Sequence, residues 1–157
     1  MIRLSKGGCQ VARYQRVLIA TDFSEEGNYA AEAGVELARR DGAQLILLHV
    51  IEHFPEDLPT DPIGPENTDP RQFLVDRARK ALAHLADACG CKDATQEIIL
   101  SARSAKRVIL QIAKERGVDL IVMGAHGRGG HVSFLGSTAM GVLNGVPCDM
   151  LVIPTRT

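Results

Sequence analysis

Two short stretches of this chain carry the residue types that hold an anion. The segment Gly124-Ala125-His126-Gly127-Arg128-Gly129-Gly130-His131 places four glycines within seven residues. Glycine lets the backbone come close to a ligand and aim successive N–H groups at it. Arg128 adds a fixed cation. Gly136-Ser137-Thr138 follows, with two hydroxyls and the free N–H groups of a helix start, where partial positive charge favours phosphate. The other stretch is Ala20-Thr21-Asp22-Phe23-Ser24, in which Asp22 can accept hydrogen bonds from a ribose hydroxyl. Together these are a phosphate cradle and a sugar acceptor. Each also has a plainer reading, the glycines as a flexible turn and Asp22 as a local cap.

Catalytic patterns are missing around them. There is no G-x-x-x-x-G-K-[ST] phosphate loop, no G-x-G-x-x-G and no G-x-S-x-G elbow. His126 and His131 lack a nearby Ser, Cys or Asp that reads as a partner, and His49, inside an apolar run, reads as a hydrogen-bonded core histidine. Of the cysteines Cys9, Cys89, Cys91 and Cys148, the Cys89-Gly90-Cys91 pair is too close for an ordinary disulfide framework. Its spacing is not the usual Cys-x-x-Cys metal clamp, so no metal is expected and the thiols fit a reducing compartment.

The elements that must position these residues follow from periodicity. Apolar runs of strand length occur at Val17–Ala20, Leu45–Ile51, Leu120–Met123 and Met150–Ile153, with a weaker one at Glu97–Leu100. Their continuous apolar character suits strands covered on both faces. Between them lie helical patterns. The first starts at Ser24, with Glu25 and Glu26 in its opening turn, repeats through Ala30, Ala33, Leu37 and Ala38, and stops at Gly42. Another opens at Asp69-Pro70 and ends near Gly90; a third spans about Ser104 to Gly117, and a short fourth Ser137 to Asn144. The order β-α-β-α-β-α-β-α-β predicts an α/β fold, a doubly wound five-stranded parallel sheet with helices on both faces. Ligands in such sheets sit beyond the carboxyl ends of the strands, and both stretches above directly follow strands.

The 157 residues make one domain, read as residues 15–157 with a loosely attached arm over 1–14. A net charge of −1 with scattered Lys and Arg argues against a nucleic-acid or membrane-surface binder. Neither a membrane span nor a secretion signal is evident, which predicts a cytoplasmic protein. Residues 53–70 hold five prolines and five acids, consistent with a surface loop or with a flap over the cleft.

These motifs, taken together, resemble the universal stress protein family. The resemblance rests on Thr21 to Ser24, Leu48-His49-Val50-Ile51, Asp119 to Arg128, Gly136-Ser137-Thr138-Ala139, Val146-Pro147-Cys148-Asp149 and the final Met150-to-Pro154 strand. It covers nearly the whole chain. The resemblance implies a Rossmann-like fold of the adenine nucleotide α-hydrolase-like type and the family's ATP-binding branch, marked by G-x-x-G, nine residues, then G-[ST]. It implies that Ala20, Thr21, Val50 and Met123 line a base pocket with Asp22 at the ribose side. Gly124, Gly127, Arg128, Gly136, Ser137 and Thr138 would hold the phosphates. Eight residues rather than nine separate Gly127 from Gly136, which bears on the triphosphate end. The cofactor so implied is ATP or another adenine nucleotide, with or without Mg2+; the partner is a second copy, docked through Met150–Ile153. The role implied is stress-response regulation, with at most slow ATP hydrolysis or self-phosphorylation at Ser137 or Thr138. Two other readings stand beside it: a nucleotide-free dimeric interaction module, and an enzyme of the wider group, whose Ser-Gly-Gly and His-x-Gly-His signatures are missing here.

Overall fold

The computed structural model describes residues 2–5, 8–11, 13–52, 69–126 and 135–154. In chain order the elements are β1 (Ile2–Ser5), β2 (Gly8–Val11), β3 (Arg16–Ala20), α1 (Glu25–Asp41), β4 (Gln44–Glu52), α2 (Pro70–Ala88), β5 (Thr95–Ser101), α3 (Ala105–Glu115), β6 (Leu120–Gly124), α4 (Ser137–Leu143) and β7 (Asp149–Ile153). The N-terminal arm holds an antiparallel pair, β1 with β2, forming its own two-stranded sheet. The other five strands form the expected parallel sheet in the order β5-β4-β3-β6-β7.

Strand alternation sorts the core into two layers. Leu18, Ala20, Ile46, Leu48, Ile121 and Met123 face Val108, Ile109, Ile112 and Ala113 of α3 and Ala139 and Val142 of α4. The intervening residues Val17, Ile19, Leu47, Leu120 and Val122 face α1 and α2. The helix ends form where the sequence predicts. Ser24 Oγ accepts from Gly27 N at 3.1 Å, and Gly42 closes α1 at φ 68°, a left-handed cap. Asp69 caps α2 with Pro70 in its first turn.

One expectation is revised. The buried face of α1 is Gly27, Ala30, Ala31, Gly34, Val35 and Ala38, while Ala33 and Leu37 sit at its margin. The reason is close approach: a Cβ on Gly34 would lie 2.7 Å from Ile19 Cδ1. The helix lies so near β3 that small residues face the sheet and the larger Leu37 is pushed to the flank.

At the opposite edge from the strand ends, Asp119 ties the sheet together. Its carboxylate accepts from Gln15 N at 2.8 Å and Arg16 N at 2.9 Å. Tyr14 joins the arm to the domain through Asp41, which accepts from its N–H, and Asp149, which accepts from its hydroxyl. The Arg40 guanidinium, and then the Tyr14 N–H, hold the Asp41 carboxyl below the usual carboxylate range.

Candidate functional site

The sheet order reverses at β3, whose neighbours β4 and β6 leave in opposite directions. Beyond the carboxyl ends of these three strands lies a cleft of about 340 Å³, within the range of small-ligand sites. The predicted residues Ala20, Thr21, Asp22, Val50, Met123, Gly124, Gly136, Ser137 and Thr138 all line it. Gly127 and Arg128 lie outside the described residues, as do His131 and the segment 53–68.

The wall from β3 is a tight double turn. Thr21 Oγ1 accepts from Phe23 N at 3.0 Å, and Asp22 Oδ1 accepts from both the N–H and the hydroxyl of Ser24. Asp22 is therefore a local cap and a cleft residue at once; the hydrogen bonds it accepts among the described residues all fall on Oδ1. Phe23 pays for the turn with φ 60°, a left-handed conformation that costs a bulky residue about 1–2 kcal/mol. Its ring packs on His49 with centroids 4.3 Å apart. His49 Nδ1 lies 2.8 Å from the Thr21 carbonyl, so that nitrogen carries the proton; the expected hydrogen bond is present, but the ring is half-buried rather than in the core.

Gly124 has a packing reason as well as a place in the cleft. A Cβ there would sit 3.1 Å from backbone carbon of Glu26 and 3.2 Å from Gly27 N, while one on Gly27 would meet Asp22 Oδ1 at 2.9 Å. The first turn of α1 thus rests directly on the ends of β3 and β6. Across the cleft, Ala125 N donates to Ile153 O and Gly136 N donates to Ala125 O, both at 2.8 Å, which fixes the start of α4 beside β6.

Several lining residues are not among the predicted site residues: Leu48, Ala105, Ile109 and Ala125. Ala105 and Ile109 come from α3, whose N-terminus reaches the cleft only through the tertiary fold. His126 also lines it, and among the described residues neither of its buried ring nitrogens has a hydrogen-bond partner. Among the described residues no three His, Cys, Asp or Glu side chains gather as a metal site, and no helix is long and apolar enough to cross a membrane.

The universal stress protein family model matches residues 13–154. Universal stress protein A homolog 2 of Coxiella burnetii is 33% identical over 141 residues, covering 89% of this chain and 94% of that protein. Among solved structures, a universal stress protein in complex with cAMP superposes with TM-score 0.65 at 22% identity, covering 92% of this chain and all of that one (100%). The universal stress protein of Archaeoglobus fulgidus in complex with dAMP gives TM-score 0.61 at 17% identity, covering 90% and 99% of the two chains. With the family model spanning the whole parallel-sheet domain, the chain belongs to the universal stress protein family.

Proposed function

We propose that this chain is a cytoplasmic stress-response regulator that binds an adenine nucleotide in the cleft beyond β3, β4 and β6. The observation that carries the reading is the convergence of Asp22, Val50, Met123, Gly136, Ser137 and Thr138 on that one cleft. Apolar Ala20, Val50, Ile109 and Met123 offer walls for a purine, while Asp22, Ser137 and Thr138 offer polar groups for its sugar and phosphate. The cAMP and dAMP held by two structural neighbours differ in sugar and phosphate but share adenine.

The backbone of β4 supports an adenine in particular. Thr21 N donates to Leu48 O, so Leu48 faces β3. Facing alternates along the strand, so the N–H and C=O of Val50 point the same way, past the last paired residue, Ala20. A donor and an acceptor side by side match the N1 and N6 edge of adenine. Guanine presents its acceptor and donor in the opposite order, which misaligns it once the sugar is held at Asp22. Gly127 and Arg128 would complete the phosphate end, and Mg2+ would enter with a polyphosphate.

Binding rather than turnover is the proposed activity. Asp22 Oδ1 is engaged by Ser24, and His126 has no carboxylate to orient it among the described residues. Slow hydrolysis or self-phosphorylation at Ser137 or Thr138 is compatible with this arrangement. Calorimetry with ATP, AMP and GTP, each with and without Mg2+, tests the reading. Adenine nucleotides are expected at micromolar affinity, about −8 kcal/mol, and guanine nucleotides at least about tenfold weaker. No heat and no thermal shift at millimolar ATP or AMP would sink it.

A further inference from the structure

Gly141 of α4 and Gly145, just past its end, face α3. A Cβ on Gly141 would lie 2.4 Å from Lys106 Cδ, and one on Gly145 would lie 2.8 Å from Leu110 Cδ1. Both helices pack on the same layer of the sheet. Both also start at the cleft, where Ala105 and Ile109 of α3 line it beside Ser137, Thr138 and Ala139 of α4. The aliphatic stem of Lys106 therefore lies across Gly141. A glycine inside a helix costs about 1 kcal/mol relative to alanine; at position 141 the missing side chain makes the bed for that stem.

The direction of the stem matters. Side chains on a helix lean toward its N-terminus, which for α3 is the cleft end. Positions 137 and 141 of α4 lie one turn apart on the same helix face, so extending the stem past Gly141 toward the α3 N-terminus would bring the ammonium toward Ser137, at the rim of the cleft rather than among its lining residues. The ammonium has no ion pair among the described residues. The carboxylate at the start of α3, Glu52, accepts from Ala105 N instead.

We propose that Lys106 is a phosphate-binding cation of the cleft, steered to the Ser137 side by Gly141. This rests on the nucleotide reading and adds a second cation from a different helix to the one carried by the glycine loop. A lysine ammonium is a compact point charge with three donors, suited to phosphate oxygens and indifferent to the base. Lys106 should thus contribute to ATP and not to adenosine.

The test titrates ATP and adenosine by calorimetry into the wild type, Lys106→Met and Lys106→Arg, with thermal melts to show that the exposed substitutions leave the fold intact. Lys106→Met keeps the stem and removes the charge. It is expected to lose about tenfold in ATP affinity, the scale of one charge-assisted hydrogen bond, while adenosine stays within about twofold. Lys106→Arg should recover most of the ATP affinity. Unchanged ATP binding by the Met variant overturns the proposal and leaves the nucleotide reading standing. Equal losses for ATP and adenosine overturn it too, making Lys106 a packing residue. A wild type that binds neither ligand overturns the nucleotide reading and this proposal with it.

Discussion

Single residues in this cleft serve structure and site together, and His126 is where the two separate. Among the described residues its buried ring nitrogens have no hydrogen-bond partner, and an unmet buried donor costs about 1–3 kcal/mol. A ring of similar shape with no polar atoms avoids that cost. His126→Phe is therefore expected to stabilise the ligand-free protein by about 1 kcal/mol, read from urea unfolding of both proteins. A destabilised variant would mean that the imidazole is satisfied in solution. Asp22 and Ser24 behave differently, because Asp22 Oδ1 organises the turn that starts α1. Any change at Asp22 disturbs the helix start as well as the cleft, so binding losses there mix two causes. Lys106 is the cleaner probe, since its charge supports no described contact of the fold.

At the scale of elements, the glycines set how close the layers come. Gly34 is the sharpest case, with Ile19 Cδ1 and Cγ1 at 2.7 and 2.8 Å from a built Cβ and Ile19 itself fully buried. Gly34→Ala gains up to about 1 kcal/mol of helix propensity. Overpacking costs about 1–3 kcal/mol and is expected to win, lowering the urea midpoint. A midpoint at or above wild type would show that α1 can lift away from β3 freely. This contact also explains why the face of α1 was harder to read than its ends. Ser24, Glu25, Glu26 and Gly42 act locally, through caps and dipole, and local signals are visible in sequence. Ala30, Ala31, Ala33 and Gly34 differ too little in size or polarity for periodicity to pick the buried stripe. The cleft divides the same way. Asp22, Gly124, Gly136 and Ser137 follow strand ends or start a helix, so their place could be read along the chain. Ala105 and Ile109 reach the cleft because α3 packs beside α4, and no spacing in the sequence announces that contact.

The whole molecule has an asymmetry between its two sheet edges that bears on assembly. In the order β5-β4-β3-β6-β7, both outer strands are edges, but they are dressed differently. β5 begins Thr95-Gln96-Glu97, with Glu97 paired to Arg116; charge on an edge strand discourages pairing with another chain. β7 is Asp149-Met150-Leu151-Val152-Ile153, apolar after its first residue and only half-buried. Leu151 and Ile153 pack against the α1–α2 layer and Met150 against the α3–α4 layer, whereas Val152 belongs to neither core cluster. On α4, Met140 and Leu143 are 43% and 46% exposed. An apolar edge strand with an uncommitted valine is suited to a second copy of itself across a two-fold axis. We therefore expect a homodimer through β7. Val152→Lys would place a charge in that contact, and an unpaired buried charge costs about 3–5 kcal/mol. Light scattering at micromolar concentration should show a dimer for the wild type and a monomer for the variant. Nucleotide titration of both adds the decisive comparison, because the cleft is built from β3, β4 and β6 within one chain. Affinity should survive the loss of the dimer, while a monomeric wild type, or a variant that keeps its dimer mass, would place assembly away from β7.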